Sequence, residues 1–240
     1  MDLLAEYKAQ DQWRDWDAML ERLPIVRGQT VLDLGCGPGS VSARLAVRAK
    51  NVVGVDHNAE FINAARQRCP KNCAFLRADL RTLDSQVIPS ADGLWCSFAA
   101  AYFPDFAPVL KRWISRLSPR GWVALVEIDD LWGGHHPLPD DIRSALEEFE
   151  ERLRTQGGYD YRMGRRLATV WNDAELAFSG PAPAEILAAW RRRFDRLPVM
   201  KTYFGAKRFD QIANAFLESI SRPDHRSTAA VVMVQAERPS

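Results

Sequence analysis

The sequence predicts an α/β fold, a doubly wound and mostly parallel sheet with helical inserts. Three observations carry that expectation. Short aliphatic and β-branched runs recur at Thr30–Leu34, Asn51–Val55, Cys73–Leu76, Ala91–Phe98 and Trp122–Ile128. Stretches of helical spacing separate most of them, the alternation that buries parallel strands between helical layers. The first run also ends in a turn crowded with glycine, where a ligand can come close to the backbone. A chain of 240 residues, 47% hydrophobic, suits one such domain with a modest insert.

The elements follow in order. Asp2–Leu23 places Leu3, Leu4, Tyr7, Trp13, Trp16, Met19, Leu20 and Leu23 at helical spacing, and Pro24 stops the pattern. The first strand enters VLDLGCGPGS, Val31 to Ser40. Asp33 stands near its end, Gly35, Gly37 and Gly39 fall on alternate positions, and Val41, Leu45 and Ala46 open a helix. That helix points free N–H groups and its positive dipole end at the turn. The dinucleotide spacing G-x-G-x-x-G fails, because Ser40 follows Gly39. The run D-x-G-x-G-x-G after a hydrophobic strand instead resembles motif I of the class I S-adenosylmethionine (SAM) dependent methyltransferases.

The resemblance implies a seven-stranded Rossmann-like sheet, its last strand antiparallel. It implies that Gly35, Cys36, Gly37 and Gly39 underlie the methionine part of the cofactor. A pyrophosphate would avoid Asp33, whereas a sulfonium and an ammonium tolerate it. The N-terminal helix is then either a lid, with Tyr7 and Trp13 reaching the cofactor, or a packing helix with buried aromatics. Asp56 closes the second strand, where a carboxylate can accept both ribose hydroxyls; its alternative is a cap for the helix beginning near Ala59. His57 lies along adenine or ribose, or in solvent. Ala59–Arg68 is amphipathic. After the third strand, the resemblance implies that Asp79 accepts from the adenine amine and Leu80 offers its N–H; Asp79 also suits a turn.

The fourth strand is apolar on both faces, and Ser97–Phe103 lies at its carboxyl end, where open α/β sheets bind ligands. Ser97 and Phe98 are placed near the methyl group, and Tyr102 and Phe103 as substrate walls or core. The motif used by nucleobase-amine methylators is absent there. Phe106–Leu117 is a helix and LSPRGW a turn before the fifth strand. Then EIDDLWGGHHPLPDD gathers Glu127, Asp129, Asp130, His135 and His136, with Trp132 as a substrate contact. A general base among His135, His136 and Glu127, a metal site, and a polar loop all compete; the metal-using members of the resembling family also place an acidic ligand after the fourth strand, and since Phe98–Ala101 supplies none, the resemblance implies no metal. Helices are expected at Pro139–Arg154, Met163–Trp171, Ala184–Arg196 and Lys207–Ile220. Glu175–Ser179 and Thr228–Ala236 are the last two strands, and Arg191, Arg192 and Arg193 read as a solvated face.

Three parts result: a helical lid (1–29), a SAM-binding core (30–130), and cap inserts with the closing strands (131–240). The expected activity is methyl transfer from SAM to an N or O nucleophile of a small molecule. A non-catalytic SAM-binding subunit and an RNA methyltransferase are the alternatives. A net charge of +1 argues against nucleic acid and anionic membrane as partners. A homodimer stays open. Cys36, Cys69, Cys73 and Cys96 lack paired metal spacing and fit a reducing compartment, and the charged N-terminus lacks a signal-peptide core, so a cytoplasmic enzyme is expected.

Overall fold

A computed structural model describes residues 3–12, 14–103, 105–156, 158–170, 174–176, 183–227 and 230–238. In chain order the strands are β1 (Thr30–Leu34), β2 (Asn51–Asp56), β3 (Cys73–Arg77), β4 (Ala91–Ser97), β5 (Leu117–Asp129), β6 (His135–His136), β7 (Ala174–Leu176), β8 (Arg226–Ser227) and β9 (Ala230–Glu237). The helices are α1 (Leu3–Asp11), α2 (Trp16–Glu21), α3 (Ser40–Arg48), α4 (Ala59–Arg68), α5 (Phe106–Ile114), α6 (Asp140–Thr155), α7 (Met163–Val170), α8 (Pro183–Phe194), α9 (Pro198–Phe204) and α10 (Ala206–Ser221).

Seven strands form one sheet in the order β3-β2-β1-β4-β5-β9-β7. The first five pair in parallel, and β9 runs antiparallel between β5 and β7. Parallel strands must be covered on both faces. Leu32, Leu34, Leu94, Cys96, Val123 and Leu125 supply one apolar layer, with Trp113 of α5. Val31, Trp95, Ala124 and Val126 supply the other, with Trp16 and Leu20 of α2. The chain leaves β1 toward β2 on one side and β4 toward β5 on the other, so a crevice opens at the carboxyl ends of β1 and β4. A third apolar cluster, centred on Trp132, Phe149, Trp190 and Phe216, is the core of the cap. No helix among the described residues is long and apolar enough to cross a membrane.

Four expectations are corrected. The N-terminal stretch is two helices rather than one, because the Asp15 carboxylate caps α2 by accepting from the Ala18 N–H at 3.2 Å. The LSPRGW turn lies within β5. Leu117 pairs with Ala91 and Trp122 with Gly93, so Ser118–Gly121 form a bulge, Arg120 taking φ +65°. The Trp122 ring covers Gly93, where any β-carbon would collide. Helix α9 was not anticipated. Between β3 and β4 the ordered turn is a single 3-10 turn, Ser85–Val87. Trp13, Trp171, 177–179 of the expected sixth strand, and 228–229 of the seventh lie outside the described residues.

Candidate active site

The glycine turn is pinned before any ligand arrives. The N–H groups of Gly35 and Cys36 donate to the Val55 carbonyl at 2.8 and 3.0 Å, which ties the end of β1 to the end of β2. The Gly37 N–H donates to Asp56 Oδ2 at 2.9 Å, while Asp56 Oδ1 accepts from the Asn58 N–H at 2.8 Å. Gly35, Gly37 and Gly39 all have positive φ, +76°, +52° and +83°, which side chains disfavour. Their surroundings differ. A β-carbon on Gly35 would meet Ala99 at 2.6 Å, and one on Gly39 would meet Cys69 Sγ at 2.7 Å and Ala65 at 2.9 Å. One on Gly37 would meet only Tyr7 Cδ1, at 3.9 Å. Gly37 therefore borders open space, with Tyr7 as its far wall.

Tyr7 packs tilted against Phe61 with centroids 4.8 Å apart, and burial raises its pKa. Helix α1 thus lies beside the turn. The Glu6 carboxylate pairs with Arg196, just past α8, so lid and cap touch. Asp33 is turned inward. It accepts from the Ser42 hydroxyl at 2.5 Å and is 1% exposed, and burial pushes its pKa up to about 7. Its immediate role is to brace β1 to α3. Buried Cys36 lies beneath the turn, its thiol pKa raised by burial. His57 is exposed, 3.6 Å from Asp56 Oδ1. Asp79 is bound in fork geometry by Arg81, which holds its pKa near 2, and Leu80 is buried.

At the end of β4, Ser97 Oγ accepts from Trp95 Nε1 at 3.2 Å. Phe98 adopts φ +53°, an uncommon value for a bulky residue, with its N–H held by the Val126 carbonyl at 2.8 Å. The Arg14 guanidinium lies 4.1 Å from the centre of the Phe98 ring. Tyr102 is 53% exposed and packs edge-on against Tyr159 at 4.7 Å. Glu127, on β5, is 1% exposed. Its Oε1 accepts from the Ala101 N–H at 3.0 Å, Oε2 is buried without a partner, and burial raises its pKa to about 8.

The two histidines lie elsewhere. His135 is buried in the cap against Trp190 and Phe216, with Nδ1 3.3 Å from His225 Nε2. Burial, then His225, lowers its pKa to about 4. His136 is exposed beside Arg143. Neither contacts the glycine turn, because β6 pairs with β8 and carries them into the cap. Trp132 is fully buried among Tyr161, Trp190, Phe194 and Phe216. Sequence reasoning missed Arg14, Tyr159 and Arg193. The only signal for the first was an arginine within an aromatic run.

Residues 31–121 match the family described as Methyltransferase domain. The trans-aconitate 2-methyltransferase of Methylobacterium radiotolerans is 33% identical over 187 residues, 73% of this chain and 65% of that protein. That of Azoarcus sp. is 37% identical over 111 residues, 45% of this chain and 42% of that protein. The chain spans about half the length of the curated relatives it matches. Among solved structures, an S-adenosylmethionine dependent methyltransferase from Mesorhizobium loti has a TM-score of 0.55 at 20% identity, covering 93% of this chain and 97% of that one. A cyclopropane synthase from Mycobacterium tuberculosis has 0.58 at 16%, covering 93% and 82%. The glycine-turn motif and the sheet order agree with the family match: residues 31–121 carry a methyltransferase domain, and the fold is similar to that of S-adenosylmethionine-dependent methyltransferases.

Proposed function

We propose that this protein transfers the methyl group of SAM to an oxygen or nitrogen of a small molecule. The supporting observation is Gly37: a left-handed residue, fixed by Asp56, facing open space that a β-carbon would fill. When bound, SAM supplies a methyl group on a sulfonium leaving group that needs no further activation. The protein's work is then to hold and to orient. Gly35, Cys36, Gly37 and Gly39 would hold the methionine end, with Tyr7 closing over it. Asp56 would take the ribose beside His57, since each carboxylate oxygen that accepts one N–H keeps a further lone pair. Asp79 and Leu80 would meet the adenine. Ser97, Phe98 and Tyr102 would border the acceptor.

Neither Glu127 nor His135 offers a base to the crevice at neutral pH. Glu127 keeps its proton up to about pH 8, and His135 is enclosed in the cap. Glu127 then acts as a neutral carboxyl that holds the Ala101 turn. An acceptor that already carries a lone pair or a negative charge suits this site, and the relatives' name makes trans-aconitate the first acid to try. Titration calorimetry with SAM and S-adenosylhomocysteine (SAH), then turnover on acids and amines, tests the reading. Heat from both cofactor forms is expected. Absence of heat from both, with binding of a nicotinamide dinucleotide, overturns it.

A further inference from the structure

Two cations at the mouth of the crevice lack an anion. Arg14 lies between α1 and α2, and its guanidinium faces the rings of Phe98 at 4.1 Å and Trp16 at 5.4 Å. Its side chain donates to Gln10 Oε1 at 3.2 Å. The nearby Asp11 carboxylate is engaged by Arg44, Arg68 and the Trp16 indole. Arg193 lies on α8, with its guanidinium 5.5 Å from the Trp190 ring and 5.7 Å from Trp132, and its Nε is buried without a partner. Among the described residues, neither arginine has a carboxylate within 4.0 Å. Twelve other described arginines do, including Arg162 and Arg196 in the cap.

The two belong to one space. Glu6, next to Tyr7 on α1, pairs with Arg196, three residues beyond Arg193, which brings the end of α8 to the helix that leads into Arg14, and both arginines act electrostatically on Tyr7, the wall above Gly37. Arg193 also acts on Tyr102 and Tyr159, which rise from the loops after β4 and α6. Removing a guanidinium from water without a counter-ion is costly, so two held together in a crevice favour an anion between them. Arginine's planar fork is suited to carboxylate geometry.

We propose that Arg14 and Arg193 form a clamp for a small acceptor bearing two carboxylates, Arg14 holding the reacting one over Phe98 and Arg193 holding the other against the cap. The inference rests on the methyltransferase reading and adds the acceptor's charge. In the reaction, a lone pair on the carboxylate oxygen forms the O–CH3 bond. The electron pair of the broken S–CH3 bond stays on sulfur, and no proton moves. The missing base is thereby accounted for. The product ester no longer carries the charge that neutralised Arg14, so that guanidinium is again without an anion. The clamp holds the acid more tightly than the ester, and turnover itself loosens the grip.

The test uses the full chain saturated with SAH. Calorimetry compares glutarate, tricarballylate, their monomethyl esters and glutaramide, on wild type, Arg14→Gln and Arg193→Gln. SAH affinity is the control that each variant is folded. The acids are expected to bind wild type at least tenfold more tightly than their esters, and glutaramide not at all. Arg14→Gln should weaken the acids on the order of ten- to hundredfold and collapse the difference between acid and ester. Arg193→Gln should weaken acid and ester alike and remove the preference for two carboxylates over one, with butyrate as the comparison. If no acid binds while SAH does, or if acid-to-ester ratios are the same in all three proteins, the clamp is wrong. If SAH itself fails to bind wild type, the underlying methyltransferase reading fails instead.

Discussion

At the scale of the residue, three glycines that look equivalent in the motif are separated by what surrounds them. All have positive φ, so an L side chain at each costs roughly 1–2 kcal/mol. At Gly37 nothing else opposes it, since the nearest atom to a β-carbon is Tyr7 Cδ1 at 3.9 Å. Gly37→Ala is therefore expected to fold, with a melting temperature lower by about 2–8 °C, while SAH binding weakens tenfold or more because the methyl fills the cradle. Gly39→Ala should show the reverse balance. Its β-carbon would press on Cys69 and Ala65 of the α4 end, so stability falls first. Calorimetry and thermal melts on the two variants separate a glycine that makes room for a ligand from one that makes room for a helix. Equal losses of binding in both would remove the distinction on which the cradle depends.

At the scale of the element, the core was legible and the lid and cap were less so. β1, β2 and α4 carry their identity in local patterning: aliphatic runs, a glycine turn, and an Asn58 side chain capping α4. The break between α1 and α2 was not legible, because apolar residues continue at helical spacing across it. What ends α1 is tertiary, namely Asp11 drawn to Trp16, Arg44 and Arg68. Arg191, Arg192 and Arg193 are identical in sequence, and only the placement of α8 against Trp132 and Tyr159 distinguishes the third. His135 and His136 misled for the same reason: the β6–β8 pair that takes them into the cap joins residues about ninety positions apart. The Glu6–Arg196 pair joins lid to cap, and its partly exposed partners limit its worth to about 1 kcal/mol. Glu6→Gln should hence speed SAH release by up to about fivefold and lower the melting temperature by no more than about 2–4 °C. Stopped-flow displacement of a fluorescent SAH analogue measures it, and an unchanged release rate would detach the lid from the cap.

At the scale of the whole molecule, buried acids set how the fold responds to pH. Asp33 beneath the turn, Glu127 at the end of β5 and Glu150 in the cap have pKa values pushed up to about 7, 8 and 7, burial being the largest cause each time. Unfolded, each would titrate near 4. Between those values the folded chain holds protons that the unfolded chain has released, so stability falls as pH rises, by up to about 1.4 kcal/mol per pH unit for each group. His135 opposes them. Its folded pKa of about 4 lies below the ordinary 6.5, so its contribution grows as pH rises from 4 to 6.5 and is constant above that. The opposing terms overlap below pH 6.5, and above it the acids act alone. The ligand-free protein should accordingly lose stability as pH rises, most steeply between about pH 6.5 and 7, where the three acids act unopposed, with Asp33 and Glu150 finishing near 7 and Glu127 alone carrying a shallower decline to about 8. Glu127→Gln should flatten the melting curve between pH 7 and 8 and make the decline near pH 5 shallower, since two acids rather than three then outweigh His135. Melts from pH 4.5 to 9 test this directly. A wild-type melting temperature that rises from pH 6.5 to 8 would mean that Glu127 is ionised in the fold, and a crevice with an ionised Glu127 could no longer favour an anionic acceptor.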